Sequence, residues 1–306
     1  MIAKKLILSI IIMALAPSSL FAANATDILH RAETADQYIN YRGKKTASVL
    51  YDKKTVSAVI KVVHTKPDNT RTEYYSPAPL AGIVMIQDGP NLWKYTPRSH
   101  AWEQVRSSAL MPYDDNRRGA FDNYDIQLIG TDKVAGRNTY VIRAVPKQGK
   151  ESVHRIWVDT ASYVILGTQV INWHGAVVTS SRYTSVEINP KDISPSVFAI
   201  TGKVKGVPKP GNVDFHVAKP SYLPKGYRMV GKVGVVVSDH CCVHSQFSNG
   251  INSISLFQRK CGGDAAPKRL LGKATTVLTW ARAGMLYTLI GDIPRAELQK
   301  VADSIR

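Results

Sequence analysis

Apolar and polar residues alternate along most of this chain, and the alternation predicts β-strands. Residues 47–51 place apolar side chains at every second position, and residues 56–62 repeat the pattern. A period of two puts these side chains on one face of a strand. Strand-like stretches recur about every ten residues, which is typical of a large antiparallel sheet. The predicted strands of the first part of the chain lie at 41–51, 55–65, 70–76, 83–86, 92–95, 101–105, 124–130, 138–145, 153–159, 164–172 and 176–188.

The stretch 73–97, EYYSPAPLAGIVMIQDGPNLWKYTP, shows this pattern most clearly. A β-branched apolar run at 83–86 is followed by Asp88-Gly89, a pair that tolerates the positive φ of a tight hairpin turn. The return strand carries Leu92, Trp93 and Tyr95. This hairpin needs a partner for its apolar face, and we expect it to form part of a concave wall.

A single amphipathic helix precedes the strands. Thr26 or Asp27 is the predicted N-cap, and the helix is expected to run to about Tyr38 with its apolar face against the sheet. The predicted fold class is therefore α+β. Its first domain, 23–200, is a large curved antiparallel sheet, a half-barrel, wrapped around helix or loop.

The remainder of the chain predicts a second and smaller α+β domain at 214–306. Residues 201–213 are rich in glycine, proline and lysine and are expected to form a linker. Asn249-Gly250 is a strong hairpin signal between apolar strands. A final helix opens near Pro294 and presents Leu298, Val301 and Ile305 to the second sheet.

The first 22 residues are expected to be a signal peptide. Lys4 and Lys5 precede an apolar run from Leu6 to Leu15, and small residues follow at Ala22. This run is too short for a permanent membrane anchor. We therefore expect a soluble, exported protein without a later membrane-spanning segment.

The formal net charge of +17 bears on the choice of partner. An exported protein meets little nucleic acid, so a basic surface favours acidic lipid head groups, anionic polysaccharide or an acidic protein. The alternative is that the charge only maintains solubility. Arg117 and Arg118, in a predicted loop or lid at 107–123, are candidates for a charged rim beside a ligand.

Several large apolar side chains of the first domain could contact a lipid. Flexible methionines and large aromatic rings suit a variable apolar ligand, although the same residue types commonly fill cores. The candidate lipid-binding residues are Met85, Trp93, Trp102, Leu110 and Met111.

The three cysteines allow more than one interpretation. In an oxidising compartment, Cys241 or Cys242 is expected to form a disulfide with Cys261. Two histidines nearby, His240 and His244, leave a metal site as an alternative. The segment lacks the CxxC spacing of structural zinc sites, so no metal is predicted. Unpaired thiols are the third alternative.

No catalytic constellation is apparent. The chain contains no GxSxG, HExxH, P-loop or dinucleotide-binding fingerprint. We therefore expect a binding protein that is not an enzyme and has no cofactor.

Two parts of the chain resemble known families. The leading helix, residues 73–97 and RIWVDTASYVILGTQVIN at 155–172 resemble the LolA/LolB-like superfamily of periplasmic lipid- and lipoprotein-binding proteins. With SYLPKGY at 221–227, the hairpin at 247–257 and the final helix, the chain resembles the MucB/RseB family of periplasmic regulators of an envelope-stress sigma factor. One departure concerns 247–252, where the family usually has Tyr-Ser-Asp-Gly-Leu-Ala and this chain has Asn249 in place of the aspartate.

This resemblance implies a specific function. The protein would bind the periplasmic segment of a membrane anti-sigma factor, protect it from proteolysis, and be released by lipid or lipopolysaccharide. A periplasmic carrier or chaperone for lipid or lipoprotein is the alternative. The oligomeric state stays open, and a homo-oligomer is compatible with the sequence.

Overall fold

Two β-sheets, each with a helix packed against it, make up the part of the protein that the structure describes. The computed structural model describes residues 24–51, 54–89, 91–105, 120–205, 213–237, 240–261 and 276–306. In these residues, twelve strands form the first sheet and five form the second. The first sheet is open and mostly antiparallel, which confirms the predicted α+β fold with a large curved sheet. The predicted signal peptide and most of the predicted loop at 107–123 lie outside the described residues, and the domain boundaries stay predictions.

The strands of the first sheet follow the alternation in the sequence closely. Their spatial order is β12-β6-β5-β4-β3-β2-β1-β11-β10-β9-β8-β7. Neighbours in sequence are mostly neighbours in space, as expected for hairpin connections. The strands are β1 (Tyr41–Tyr51), β2 (Lys54–Thr65), β3 (Asn69–Ser76), β4 (Val84–Asp88), β5 (Asn91–Thr96), β6 (Ala101–Val105), β7 (Tyr124–Val134), β8 (Arg137–Pro146), β9 (Val153–Asp159), β10 (Ile165–Ile171), β11 (Val177–Ile188) and β12 (Lys203–Val204).

Helix α1 (Ala25–Thr34) lies on one side of this sheet and continues into a 3-10 turn at Ala35–Gln37. The predicted cap at Thr26 or Asp27 was wrong. Asn24 is the N-cap, because its side-chain oxygen accepts a 3.0 Å hydrogen bond from the backbone N–H of Thr26. The apolar face of α1 packs on strands β7 to β9, through Ala25, Ile28, Ala32, Ile142 and Val158. A short helix α2 (Ala120–Asn123) precedes β7.

The side of the first sheet that faces residues 25–39 is called here the inner face. His64 marks it, because its Nε2 donates a 2.8 Å hydrogen bond to the carbonyl of Asp36. Tyr41, Ile60 and Val62 lie on the same face and pack with Ala35. Each such side chain contributes about 1.5–3 kcal/mol when fully buried, so this contact holds the helical segment on the sheet.

The second sheet and the last helix form a separate core. The strands, in spatial order β13-β14-β15-β17-β16, are β13 (Arg228–Val237), β14 (His240–Ser248), β15 (Ser253–Lys260), β16 (Thr276–Arg282) and β17 (Met285–Gly291). Helix α3 (Arg295–Asp303) packs on them. Leu298, Val301 and Ile305 are fully buried in this core, as predicted.

Two local features differ from the sequence prediction. The hairpin predicted at Asn249-Gly250 forms between β14 and β15, but its loop has four residues and not two, because Ser248 pairs with Ser253. The predicted linker contains strand β12, which pairs in parallel with β6 through Lys203 and Ala101. The chain thus adds an edge strand to the first sheet before it enters the second.

Candidate functional site

Two predicted lipid-binding residues of the 73–97 stretch, Met85 and Trp93, lie on opposite faces of the sheet. Met85 pairs with Thr72, which pairs with Val62, so Met85 is on the inner face. Trp93 pairs with Ile86, one position further along β4, and is therefore on the outer face. A single concave wall containing both residues is thus excluded.

Trp102 also belongs to the outer face, where it has a structural environment. It is buried against Val84 and Ile86, and Phe198 and Ile200 pack over the same cluster. Its indole Nε1 donates a 3.0 Å hydrogen bond to the carbonyl of Thr201. Trp102 therefore holds the chain leading out of the first sheet. Leu110, Met111, Arg117 and Arg118 lie outside the described residues.

The inner face carries a cationic group that the sequence analysis missed. Lys45 is half-buried, and its Nζ lies 5.7 Å from the centroid of the Tyr183 ring. Burial lowers the pKa of Lys45, and the nearby Asp36 only partly opposes this. The signal was present in the sequence, since Lys45 occupies a position in the alternating series that otherwise carries apolar side chains in β1. An ammonium group beside apolar side chains can bind the anionic end of an amphiphile.

A buried polar cluster joins the two sheets. This junction cluster consists of Tyr124, Glu151, Tyr227, Asn249 and Asn252, and all five residues are buried. Oε2 of Glu151 accepts hydrogen bonds from Nδ2 of Asn249 at 2.7 Å and from Nδ2 of Asn252 at 3.1 Å. The hydroxyls of Tyr124 and Tyr227 each lie 3.4 Å from the same oxygen. A buried carboxylate is tolerated because several donors surround it.

Two further contacts extend the junction cluster. His154, on β9, donates from Nε2 to Oδ1 of Asn252 over 2.7 Å. Asn123, at the end of α2, donates from Nδ2 to the carbonyl of Asn249 over 2.9 Å. Gly226 has a positive φ of 88°, and a Cβ there would collide with the side chain of Asn123. The close approach of the two units therefore requires glycine at this position.

Burial shifts the pKa values of the ionisable groups at the junction cluster. Burial raises the pKa of Glu151, and the hydrogen bonds from Asn252 and Asn249 offset this only in part. Burial lowers the pKa of His154, against the hydrogen bond with Asn252 and the charge of Asp292. Both groups are thus driven towards their neutral forms. A cavity of about 390 Å³ beside Glu151 is lined also by Lys150, Tyr222 and Lys225.

The predicted disulfide is not formed in the structure, where Cys242 and Cys261 are both free thiols. Cys242 pairs with Arg259 across β14 and β15, so Cys261 is a diagonal neighbour of Cys242. Diagonal neighbours lie about 7–8 Å apart, beyond the usual Cα separation in a disulfide. The side chain of Cys241 lies outside the described residues.

Among the residues that the structure describes, no group of three or more His, Cys, Asp and Glu side chains could hold a metal ion. Within the same ranges, no helix has the length and apolarity needed to cross a membrane.

Comparison with known proteins gives one consistent family. The family model of the MucB/RseB N-terminal domain matches residues 24–201. The sigma-E factor regulatory protein RseB of Escherichia coli K12 is 23% identical to this chain, over 94% of each chain. RseB of Haemophilus influenzae is 20% identical over 60% of each.

Solved structures show the same fold. The structure of the Pseudomonas aeruginosa MucA/MucB complex matches with a TM-score of 0.70 and 18% identity, covering 93% of this chain and 99% of the other. A crystal structure of MucB matches with a TM-score of 0.67 and 16% identity, over 93% and 98% of the two chains. Both sheets are therefore part of the shared architecture.

Proposed function

The chain belongs to the MucB/RseB family, and we propose that it is a periplasmic regulator that binds the periplasmic segment of a membrane anti-sigma factor. The observation that carries this proposal is the extent of the match, which spans 94% of both this chain and an RseB protein. In addition, the fold of both sheets is that of MucB proteins, one of which was solved in complex with the periplasmic part of MucA.

The proposed activity is binding and not catalysis. The buried carboxylates have structural partners: Glu151 accepts from Asn249 and Asn252, and Asp159 pairs with Arg137. The bound segment would be protected from proteolysis because a protease needs an extended and accessible chain. The net charge of +17, which becomes +15 without Lys4 and Lys5 of the predicted signal peptide, favours an acidic segment as partner. The proposal does not depend on whether the chain is a monomer or a homo-oligomer.

Release by lipid or lipopolysaccharide is the second part of the proposal. The inner face offers apolar side chains such as Met85, and burial of an acyl chain contributes about 0.8 kcal/mol per methylene. Lys45 would attract the phosphate or carboxylate of the same ligand. Filling the inner face would then weaken the complex with the anti-sigma segment.

Binding to the fluorescently labelled periplasmic segment of the anti-sigma factor tests the proposal. We expect saturable binding of the exported protein, protection of the segment from a site-specific protease, and loss of both on addition of lipopolysaccharide. Absence of binding, together with extraction of lipoprotein from membranes, would establish the carrier alternative. Binding that lipopolysaccharide leaves intact would contradict only the release step.

A further inference from the structure

Strand β16 has an open edge without the usual protection. In the described part of the chain, β16 hydrogen-bonds to β17 alone. Its first six residues, TVLTWA, contain neither a charge nor a proline. Exposed edges are normally blunted by charges, prolines or bulges, since unpaired backbone groups recruit other chains.

Strand β7, one of the two edge strands of the first sheet, shows the contrast. Strand β7 carries Asp125, Asp132 and Lys133, and a bulge between Leu128 and Gly130 interrupts its pairing with β8. These are the devices that prevent strand addition. Their absence from the first six residues of β16 distinguishes this edge from that of β7.

The turn that follows β16 determines which backbone groups are free. Arg282 pairs with Met285, and the two-residue loop Ala283-Gly284 has φ of 51° and 73°, as in a type I′ hairpin. The residues that flank such a loop form a hydrogen-bonded pair, and bonded pairs alternate along the strands. Arg282, Trp280 and Leu278 therefore bond to β17. The N–H and C=O groups of Val277, Thr279 and Ala281 point away from it.

A groove lies beside this edge. Its volume is about 510 Å³, and β16 and α3 form its two sides. Trp280 lies on one side, and Gln299 and Ala302 of α3 lie on the other. An extended peptide can lie in such a groove, with its backbone on the strand and alternate side chains towards the helix.

The charges around the groove select the chemistry of the occupant. Arg282 and Arg295 line it, and both are exposed. Among the described residues, Asp303 is the one carboxylate that lines the groove, and it accepts a 2.8 Å hydrogen bond from Nε2 of Gln299. An acidic segment therefore fits better than a basic one.

We propose that an extended, acidic segment of the anti-sigma factor adds to the open edge of β16 as a further strand, in the groove between β16 and α3. This inference rests on the proposed function and identifies the surface that performs it. Backbone hydrogen bonds would provide affinity, and Arg295 would favour acidic residues in the segment.

The substitution Thr279→Pro tests the backbone contact. It removes an outward N–H and keeps the bonds to β17, a position at which edge strands tolerate proline. We expect it to weaken binding of the labelled periplasmic segment about tenfold, whereas Thr279→Val, which keeps the N–H, changes binding less than about twofold. Arg295→Glu should also weaken binding and should reduce its dependence on salt, relative to Arg295→Gln.

Amide hydrogen exchange gives a readout that does not depend on these variants. Binding should protect Val277, Thr279 and Ala281 and change Leu278 and Trp280 little. Wild-type binding that Thr279→Pro and Arg295→Glu both leave intact would overturn the edge proposal and leave the proposed function standing. No binding by the wild type would instead contradict the proposed function. Protection of the three amides in the free protein, or a dimer that Thr279→Pro dissociates, would show that the edge has another occupant.

Discussion

Nδ2 of Asn249 donates a 2.7 Å hydrogen bond to Oε2 of Glu151, and the two residues lie in loops of different sheets, Asn249 between β14 and β15 and Glu151 between β8 and β9. Oδ1 of Asn249 also accepts from the backbone N–H groups of Ile251 and Asn252, which shapes the turn between β14 and β15. One amide therefore organises a turn with its oxygen and donates a hydrogen bond to a buried carboxyl group with its nitrogen. The junction between the two units depends on this double use.

Replacement of this amide by a carboxylate should separate the two roles. Asn249→Asp keeps the oxygen that the turn requires, loses the donor, and places a second negative charge beside Glu151. We expect a loss of about 1–3 kcal/mol in the free energy of unfolding at neutral pH, measured in urea by tryptophan fluorescence. Glu151→Gln in the same protein should restore part of it, because one charge is removed. An equal loss in both backgrounds would show that the two side chains are not coupled.

The raised pKa of Glu151 predicts the pH dependence of stability. The folded state retains the Glu151 proton to higher pH than the unfolded chain, whose pKa is near 4.5. The stabilisation that protonated Glu151 contributes is therefore fully present below the pKa of the unfolded chain. It is lost as the pH rises through the raised pKa of the folded state. The free energy of unfolding of the wild type, minus that of Glu151→Gln, should fall across this window. A difference that stays flat or rises with pH would contradict the prediction.

The inner and outer faces should respond differently to substitution. Met85→Glu places a charge on the proposed acyl-binding face and should weaken binding of lipopolysaccharide in a folded protein. Trp93→Phe, on the outer face, should leave this affinity unchanged. Fluorescence titration with lipopolysaccharide checks both variants. The reverse result would place the lipid on the outer face.

The two described thiols should react at different rates. Cys242 is buried, and burial raises the pKa of its thiol, whereas Cys261 is half-buried. In a Cys241→Ser variant, iodoacetamide should modify Cys261 first and Cys242 only after unfolding. Mass spectrometry of the unreduced protein provides the count of thiols. A bridge between Cys261 and either Cys241 or Cys242 in the unreduced wild type would restore the disulfide predicted from the sequence.

Asp159 should be the most sensitive carboxylate of the first sheet. It is buried, and it accepts from Nε of Arg137 at 2.7 Å and from the backbone N–H of Ser162 at 2.8 Å. Burial alone would raise its pKa, but Arg137 and Ser162 outweigh burial and lower it. Asp159→Asn should cost about 3 kcal/mol in urea unfolding. Asp132→Asn, at a half-exposed pair with Arg182, is the control and should cost clearly less.

Much of the fold was predictable from local patterns. A period of two in residues 47–51 and 56–62 predicts strands because successive side chains point to opposite faces. The final helix was predictable from Pro294 and the spacing of Leu298 and Val301. The N-cap of the first helix was predicted wrongly because several residues that can cap a helix, Asn24, Thr26 and Asp27, follow one another closely. Asn24 also lies beside the predicted cleavage site.

The sequence by itself determined the strands, the family and the presence of two units, because period, turn chemistry and motif order are local properties. Only the tertiary structure decided that Met85 and Trp93 lie on opposite faces, since alternation defines two faces without indicating which one the helix covers. It also decided the partner of Glu151, because Asn249 is distant in the chain and reaches the carboxylate only through the docking of two sheets. The docking of the two sheets buries Glu151, and no local sequence pattern encodes this burial.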